Sequence, residues 1–309
     1  MVSAFALEDA QAYLRDHHLD GWLLEDFQYN NPIFWQVVGS RRHSTRRAFL
    51  FIPSSGIPHL LVHQTDAGRL NDLGWPVDVY LSRADQEAGL RALLPAGATV
   101  AMEYSPECAL PVVSRVDGGT LEQVRALGVT VVSSGDALQY AVARWSPHQV
   151  ATYRQAAAAV VTVAGETFDF IGEHLGDDVD ELSAREFIRR RFSALGLVTD
   201  SGPDVAVNEH AGDPHYEPSA GSSKKMSPGD WVLIDLWAKD DSAGAVYGDT
   251  TWVGFVGKDV PQNYRRVFDS VLRARDLALE LLTSSWHAGR VLEGWEVDAV
   301  ARASINADG

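Results

Sequence analysis

The chain has almost no cysteine. A single residue, Cys108, among 309 excludes an intramolecular disulfide and a thiolate metal cluster, and it fits a reducing compartment. No segment approaches the roughly twenty apolar residues of a membrane-spanning helix. The N-terminal run Met1-Val2-Ser3-Ala4-Phe5-Ala6-Leu7-Glu8-Asp9 has no basic start followed by a long apolar stretch. A cytoplasmic protein with no membrane partner is therefore expected. Positive charge is also scarce: 26 Lys and Arg stand against 42 Asp and Glu, a net charge of −16, which disfavours nucleic acid and anionic membranes as partners. The main exception, Arg41-Arg42-His43-Ser44-Thr45-Arg46-Arg47, reads as a solvated loop ahead of a strand rather than an anion site. Neither standard glycine-rich phosphate loop is present.

What remains is a chain with room for two domains. Up to about Ala143, short strand-like runs alternate with helical patterns: Trp22–Leu24, Ala48–Ile52, His59–Val62, Val77–Tyr80, Thr99–Met102 and Val129–Val132. Alternation of this kind predicts a mixed α/β sheet with helices on its faces. The segment Pro53-Ser54-Ser55-Gly56 should join two strands as a hairpin. Ser146-Pro147 is a helix start before an alanine-rich stretch, so domains of 1–144 and 145–309 are expected.

The chemistry concentrates in the second domain. Trp231-Val232-Leu233-Ile234-Asp235-Leu236-Trp237 is apolar apart from one carboxylate, and Asp249 precedes the β-branched and aromatic run from Thr250 to Val256. Both read as strands, and a hairpin would place the two acids together if they share a face. A strand-end aspartate can equally cap a turn or meet an arginine. Two adjacent carboxylates repel, however, and an acid on an apolar strand is costly unless paired or bound to a cation. Carboxylates suit hard or borderline divalent ions, and one carboxylate can bridge two of them. His215 lies nearby in Gly212-Asp213-Pro214-His215-Tyr216-Glu217-Pro218, where two prolines can hold an imidazole over such a centre to supply a hydrogen bond or proton. His210 is a weaker candidate. Trp231, Trp237 and Trp252 flank the acids either as core or as an apolar wall for substrate. The acidic run Gly176–Glu181 fits a helix-capping turn better than a calcium loop.

At Pro214-His215-Tyr216, Gly229–Leu236 and Tyr247-Gly248-Asp249-Thr250-Thr251 the chain resembles the pita-bread metallopeptidases, the family of methionine aminopeptidase, aminopeptidase P, prolidase and creatinase. The resemblance implies an α/β N-terminal domain of creatinase type followed by an α+β pita-bread catalytic domain. It further implies a peptide substrate, a homodimer and two divalent metal ions, Mn, Co, Zn or Fe, holding a bridging hydroxide that attacks the N-terminal peptide bond in Xaa-Pro aminopeptidase or dipeptidase fashion. In that scheme Asp235 ligates one ion, Asp249 bridges both and His215 contacts the substrate. Two departures accompany the match. The aspartates stand fourteen apart, implying a longer hairpin loop, and Thr250-Thr251-Trp252 stands where an arginine commonly follows the threonine, which puts a helper hydrogen bond to the bridging acid in doubt.

A long helix opening at Pro147, a break and a shorter helix from Ser183 to Gly196 recur about 113 residues later as Pro261 onward and Glu296–Gly309. This order suggests an internal repeat. The first helix pair leads into the strands bearing the aspartates. By the family's pseudo-symmetry the second pair should lead to a further histidine and two glutamates, so the expectation is an incomplete second half and a chain that binds metal weakly or not at all. A noncatalytic homologue used for dimerisation or peptide binding, or a metal-free amidinohydrolase of creatinase type, are the alternative readings.

Overall fold

The computed structural model describes residues 5–309, which divide into two compact units. Among the described residues the first unit comprises 5–158, Gly196–Val198 and Ala238–Gly248, and the second Ala159–Leu195, Thr199–Trp237 and Asp249–Gly309.

In the first unit β1 (Gly21–Asp26), β2 (Ala48–Pro53), β3 (His59–His63), β4 (Val77–Tyr80), β5 (Thr99–Met102) and β6 (Thr130–Ser133) form one mixed sheet in the order β4-β3-β2-β1-β5-β6. The central strands β1, β2 and β3 are antiparallel, and the outer pairs are parallel. The expected hairpin at Pro53–Gly56 is the β2–β3 connection. Both faces of the sheet are covered, which is why the strands read as almost unbroken apolar runs. The alternation of side chains sorts them into two cores. Trp22, Leu24, Leu50, Ile52, Leu60 and Val62 pack on one face with Phe34 and Trp35 of α2 (Pro32–Val38) and Leu14 of α1 (Leu7–Asp16). Leu23, Phe49, Phe51, Leu61 and Val100 pack on the other with Leu90 of α4 (Arg83–Leu93) and Val124 of α5 (Gly118–Ala126). Two single-turn helices, α3 (Gln64–Ala67) and α6 (Gly135–Leu138), complete the connections.

The basic segment is a loop, as expected, but its charges are mostly spoken for. Arg42 meets Asp72, Arg47 bonds Glu25 and Asp117, and Arg41 lies over the Tyr29 ring.

The second unit is built on α8 (Glu181–Ala194), β8 (Asp204–Val207), α9 (Gln262–His287) and α10 (Gly294–Asp308), with parts of α7 (Pro147–Glu173), β9 (Trp231–Asp240) and β10 (Gly248–Phe255). In the second sheet β10 and the short β7 (Leu197–Val198) flank β9, and β8 also pairs with β9. The acidic run before α8 does cap it: the Asp180 side chain accepts from Ser183 N and the Ser183 hydroxyl from Asp180 N, a reciprocal box. Gly196, at φ +71, follows the helix end. Among the described residues no helix is long and apolar enough to cross a membrane.

The alanine-rich start of α7 has a packing reason. Gly248 opens β10 against it, and a Cβ at Gly248 would stand 2.4 Å from Ala157 N and 2.6 Å from Ala156 C. Those are backbone atoms and cannot swing aside, so Gly248→Ala should cost about 1–3 kcal/mol through overpacking. Urea denaturation of the variant checks this; an unchanged midpoint would show that strand and helix separate freely.

Candidate metal centre

Along β9 the side chains alternate cleanly. Val232, Ile234, Leu236 and Ala238 are buried, while Trp231, Leu233, Asp235 and Trp237 point to the opposite, half-open face. The single carboxylate of an apolar strand therefore sits on its wetter side. Asp204 of β8 is the register partner of Asp235, and directly opposed residues of an antiparallel pair project from the same face. On the other flank the Thr251 hydroxyl donates to Asp235 Oδ1 at 2.6 Å. Asp249, two residues before Thr251 on β10, shares that face. Sequence, register and hydrogen bonding thus bring Asp235 and Asp249 to one face, with Asp204 as a third acid.

The electrostatics of this face are unbalanced. Partial burial, and after it the charge of Asp235, pushes the Asp249 carboxyl above its ordinary value. Asp204 is likewise pushed up, mainly by burial and further by Glu217 and Asp235, with Arg185 pulling against them. Its Oδ1 is buried without a hydrogen-bond partner. Asp204 was not legible as a candidate, since Asp204-Val205-Ala206-Val207 is an ordinary short strand and only the register reveals its neighbour. Among the described residues no group of three or more His, Cys, Asp and Glu side chains is arranged to hold a metal ion.

Thr251 gives its hydrogen bond to Asp235 rather than to Asp249, the acid for which a helper was in question. His215 is exposed in its loop, with its backbone N–H on Asp213 Oδ1 at 3.0 Å. Among the described residues no hydrogen bond or ion pair joins its ring to either aspartate. His210, the weaker candidate, is more firmly held: its Nδ1 lies 2.8 Å from Glu181 Oε1, and its ring stacks on Tyr216 at 4.1 Å.

The three tryptophans do not share one setting. Trp237 packs across Gly202, and Trp231 stacks on Tyr264 with 5.2 Å between centroids. Trp252 points to solvent, 43% exposed. Beside the aspartates runs a groove of about 770 Å³, lined by Trp231, Leu233, Thr251, Val253, Tyr264 and Phe268.

The model described as metallopeptidase family M24 matches residues 151–309. No curated protein sequence matches. Among solved structures, dipeptidase PepE from Mycobacterium ulcerans is 22% identical over 97% of this chain and 75% of that one, with a TM-score of 0.66. A recombinant prolidase from Thermococcus sibiricus is 17% identical over 99% and 78%, with a TM-score of 0.57. The X-prolyl aminopeptidase from Caenorhabditis elegans, described as a cytosolic enzyme with a di-nuclear active site, is 16% identical over 98% of this chain and 48% of its own, with a TM-score of 0.60. At these identities the likeness establishes the fold, a creatinase-type α/β domain followed by an α+β pita-bread domain, as the sequence reading expects.

Proposed function

The chain belongs to metallopeptidase family M24, and from that premise we propose a metal-dependent peptidase of Xaa-Pro aminopeptidase or dipeptidase type, acting at the N-terminal end of a peptide. One observation carries the reading: the face shared by Asp204, Asp235 and Asp249 has a buried carboxylate oxygen with no partner and a second carboxyl lifted by partial burial and, after it, by its neighbour's charge. A divalent cation supplies the missing positive charge. The donors are hard oxygens, which suit Mn, Co, Zn or Fe.

The two carboxylates suit such ions as part of a ligand set. Asp235 would hold one ion, and Asp249 would stand between two. When bound, such ions polarise the scissile carbonyl and make water a nucleophile at neutral pH. The remaining roles belong to the chain itself. Thr251 fixes the rotamer of Asp235 through the 2.6 Å hydrogen bond, as second partners of a ligand do. Trp231 and Leu233 wall the groove where an apolar side chain or proline ring would lie. His215 would give a hydrogen bond or proton to the reacting amide. We place this chemistry in the cytoplasm, in a homodimer, with peptides as substrates.

Two aspartates do not complete a dinuclear shell, so a polypeptide of these 309 residues alone is proposed to hold metal weakly and to turn over little. The absence, among the described residues, of a three-ligand cluster is the observation that favours a second reading, a noncatalytic homologue that binds peptides or dimerises. Manganese and cobalt titrations with an Xaa-Pro dipeptide, on protein verified by intact mass, separate the cases. Weak binding that Asp235→Asn abolishes, with slow cleavage, is the expected result. Robust cleavage would overturn the claim of weakness and uphold the peptidase. Metal binding indifferent to Asp235→Asn would sink the assignment of the site.

A further inference from the structure

The segment from Asn208 to Lys224 carries His215 with little regular structure beyond one 3-10 turn, Asn208–Gly212. Such a stretch holds a side chain in place only if something outside it fixes its backbone. That role falls to Glu181, in the first turn of α8 and fully buried. Its Oε1 accepts from Val207 N at 2.7 Å and faces His210 Nδ1 at 2.8 Å; its Oε2 accepts from the Tyr216 hydroxyl at 2.6 Å and from Lys224 N at 2.9 Å. One carboxylate thus ties down both ends of the segment, its 3-10 turn and the residue next to His215. One helical turn later Arg185, also buried, donates to Pro218 O and to Glu217, each at 3.2 Å. Residues four apart share a helix face, so α8 presents an acid and a base together to the two sides of His215. The helix N-terminus favours the negative charge where Glu181 stands.

We infer that Glu181 is the positioning residue for His215, and that it also selects the Nδ1–H form of the His210 ring. This rests on the reading of His215 as the histidine of the peptidase reaction. The tautomer follows from chemistry: a carboxylate offers only lone pairs, so the nitrogen facing it must carry the proton. A carboxylate is needed because all four partners donate. In Glu181→Gln one oxygen becomes an amide nitrogen, and two donors are left facing a donor.

The test uses the whole 309-residue chain labelled with ¹⁵N, comparing Glu181→Gln and Tyr216→Phe with wild type. The wild-type protein should show His210 as the Nδ1–H tautomer and slow exchange at the Val207 and Lys224 amides. Millimolar Mn²⁺ should broaden both the Asp249 amide and the His215 ring. In Glu181→Gln the His210 tautomers should mix, exchange at one or both amides should quicken at least tenfold, and His215 broadening should fall while Asp249 broadening persists. Tyr216→Phe keeps the carboxylate and removes the part-buried hydrogen bond to it together with the longer contacts to Ser222, so it should retain the tautomer and lose part of the His215 broadening; it decides the matter if Glu181→Gln does not fold. Undiminished His215 broadening in the variants overturns the positioning role, whatever the tautomer does. If Mn²⁺ broadens neither group in wild type, the metal reading fails by itself, and unchanged tautomer and amide exchange in Glu181→Gln would then overturn the clamp.

Discussion

Glu103→Ala should destabilise the protein by about 3–5 kcal/mol at pH 5 and by markedly less at pH 8. Glu103 is fully buried at the end of β5, where Trp22 Nε1 donates to Oε1 at 2.5 Å, Ser134 Oγ to Oε1 at 3.2 Å and Asn31 Nδ2 to Oε2 at 2.8 Å. It ties β1, the cap of α2 and the end of β6 to one point. Truncation leaves an indole N–H and an amide buried without acceptors, each worth about 1–3 kcal/mol, plus a small cavity. The pH dependence has a definite sign. Burial pushes the carboxyl up to about 7, against 4.5 for the free side chain, even though all three donors favour the charged form. The native state keeps its proton where the unfolded chain has lost it. Stability from this group is therefore fully present below pH 4.5, declines as pH rises through about 7 and levels off above. The shift corresponds to about 3 kcal/mol across that window. Urea denaturation of wild type and variant from pH 5 to 8 isolates the group, because other titrations cancel in the difference. Parallel curves would show that Glu103 is charged in the fold throughout.

How far the sequence carries such arguments depends on the range of the interaction. The strands of the first unit were legible because burial on both faces leaves continuous apolar runs, and their positions agree with expectation to within about two residues. The helix starts at Pro147 and Pro261 are marked locally by proline, and Ser146 caps the first of them; the helix expected from Ser183 begins two residues earlier, at Glu181. Asp235 was legible as an acid interrupting a strand of apolar residues. Asp204 was not, because nothing local marks it; only the pairing of β8 with β9 puts it opposite Asp235. Glu181 was hidden for a related reason. As part of Asp177-Asp178-Val179-Asp180-Glu181 it looked like one more solvated acid at a helix start, yet Asp180 makes the cap while Glu181 turns inward to gather four donors from residues 26–43 positions away. A buried carboxylate and an exposed one have the same letter, and only the long-range partners distinguish them.

Asp249→Asn is expected to remove saturable Mn²⁺ binding while leaving the metal-free protein as stable as before or slightly more so. The two effects come from the same cause. In the fold Asp249 feels partial burial and the charge of Asp235, and both disfavour its ionised form. A raised carboxyl costs stability above its pKa, so a neutral amide relieves a penalty at pH 7. The gain is small because the group is largely open to solvent, where such interactions are screened. The same substitution removes one of two anionic ligands. Loss of a residue that merely supports a ligand already lowers metal affinity by about 10–100-fold, so losing a ligand from so sparse a set should cost at least about 100-fold. Thr251→Val, which removes only the hydrogen bond to Asp235, should fall near the lower end of that range. Asp235→Asn should match Asp249→Asn in metal binding. Isothermal titration with Mn²⁺ and thermal melts with and without the ion measure both quantities on the same samples. A turn-capping or ion-pairing role for Asp249 predicts the reverse pattern, in which Asp249→Asn lowers the metal-free melting temperature and does not alter the response to manganese. That outcome would return both aspartates to structural roles, because the unbalanced charge on their face would then have no cation to explain it.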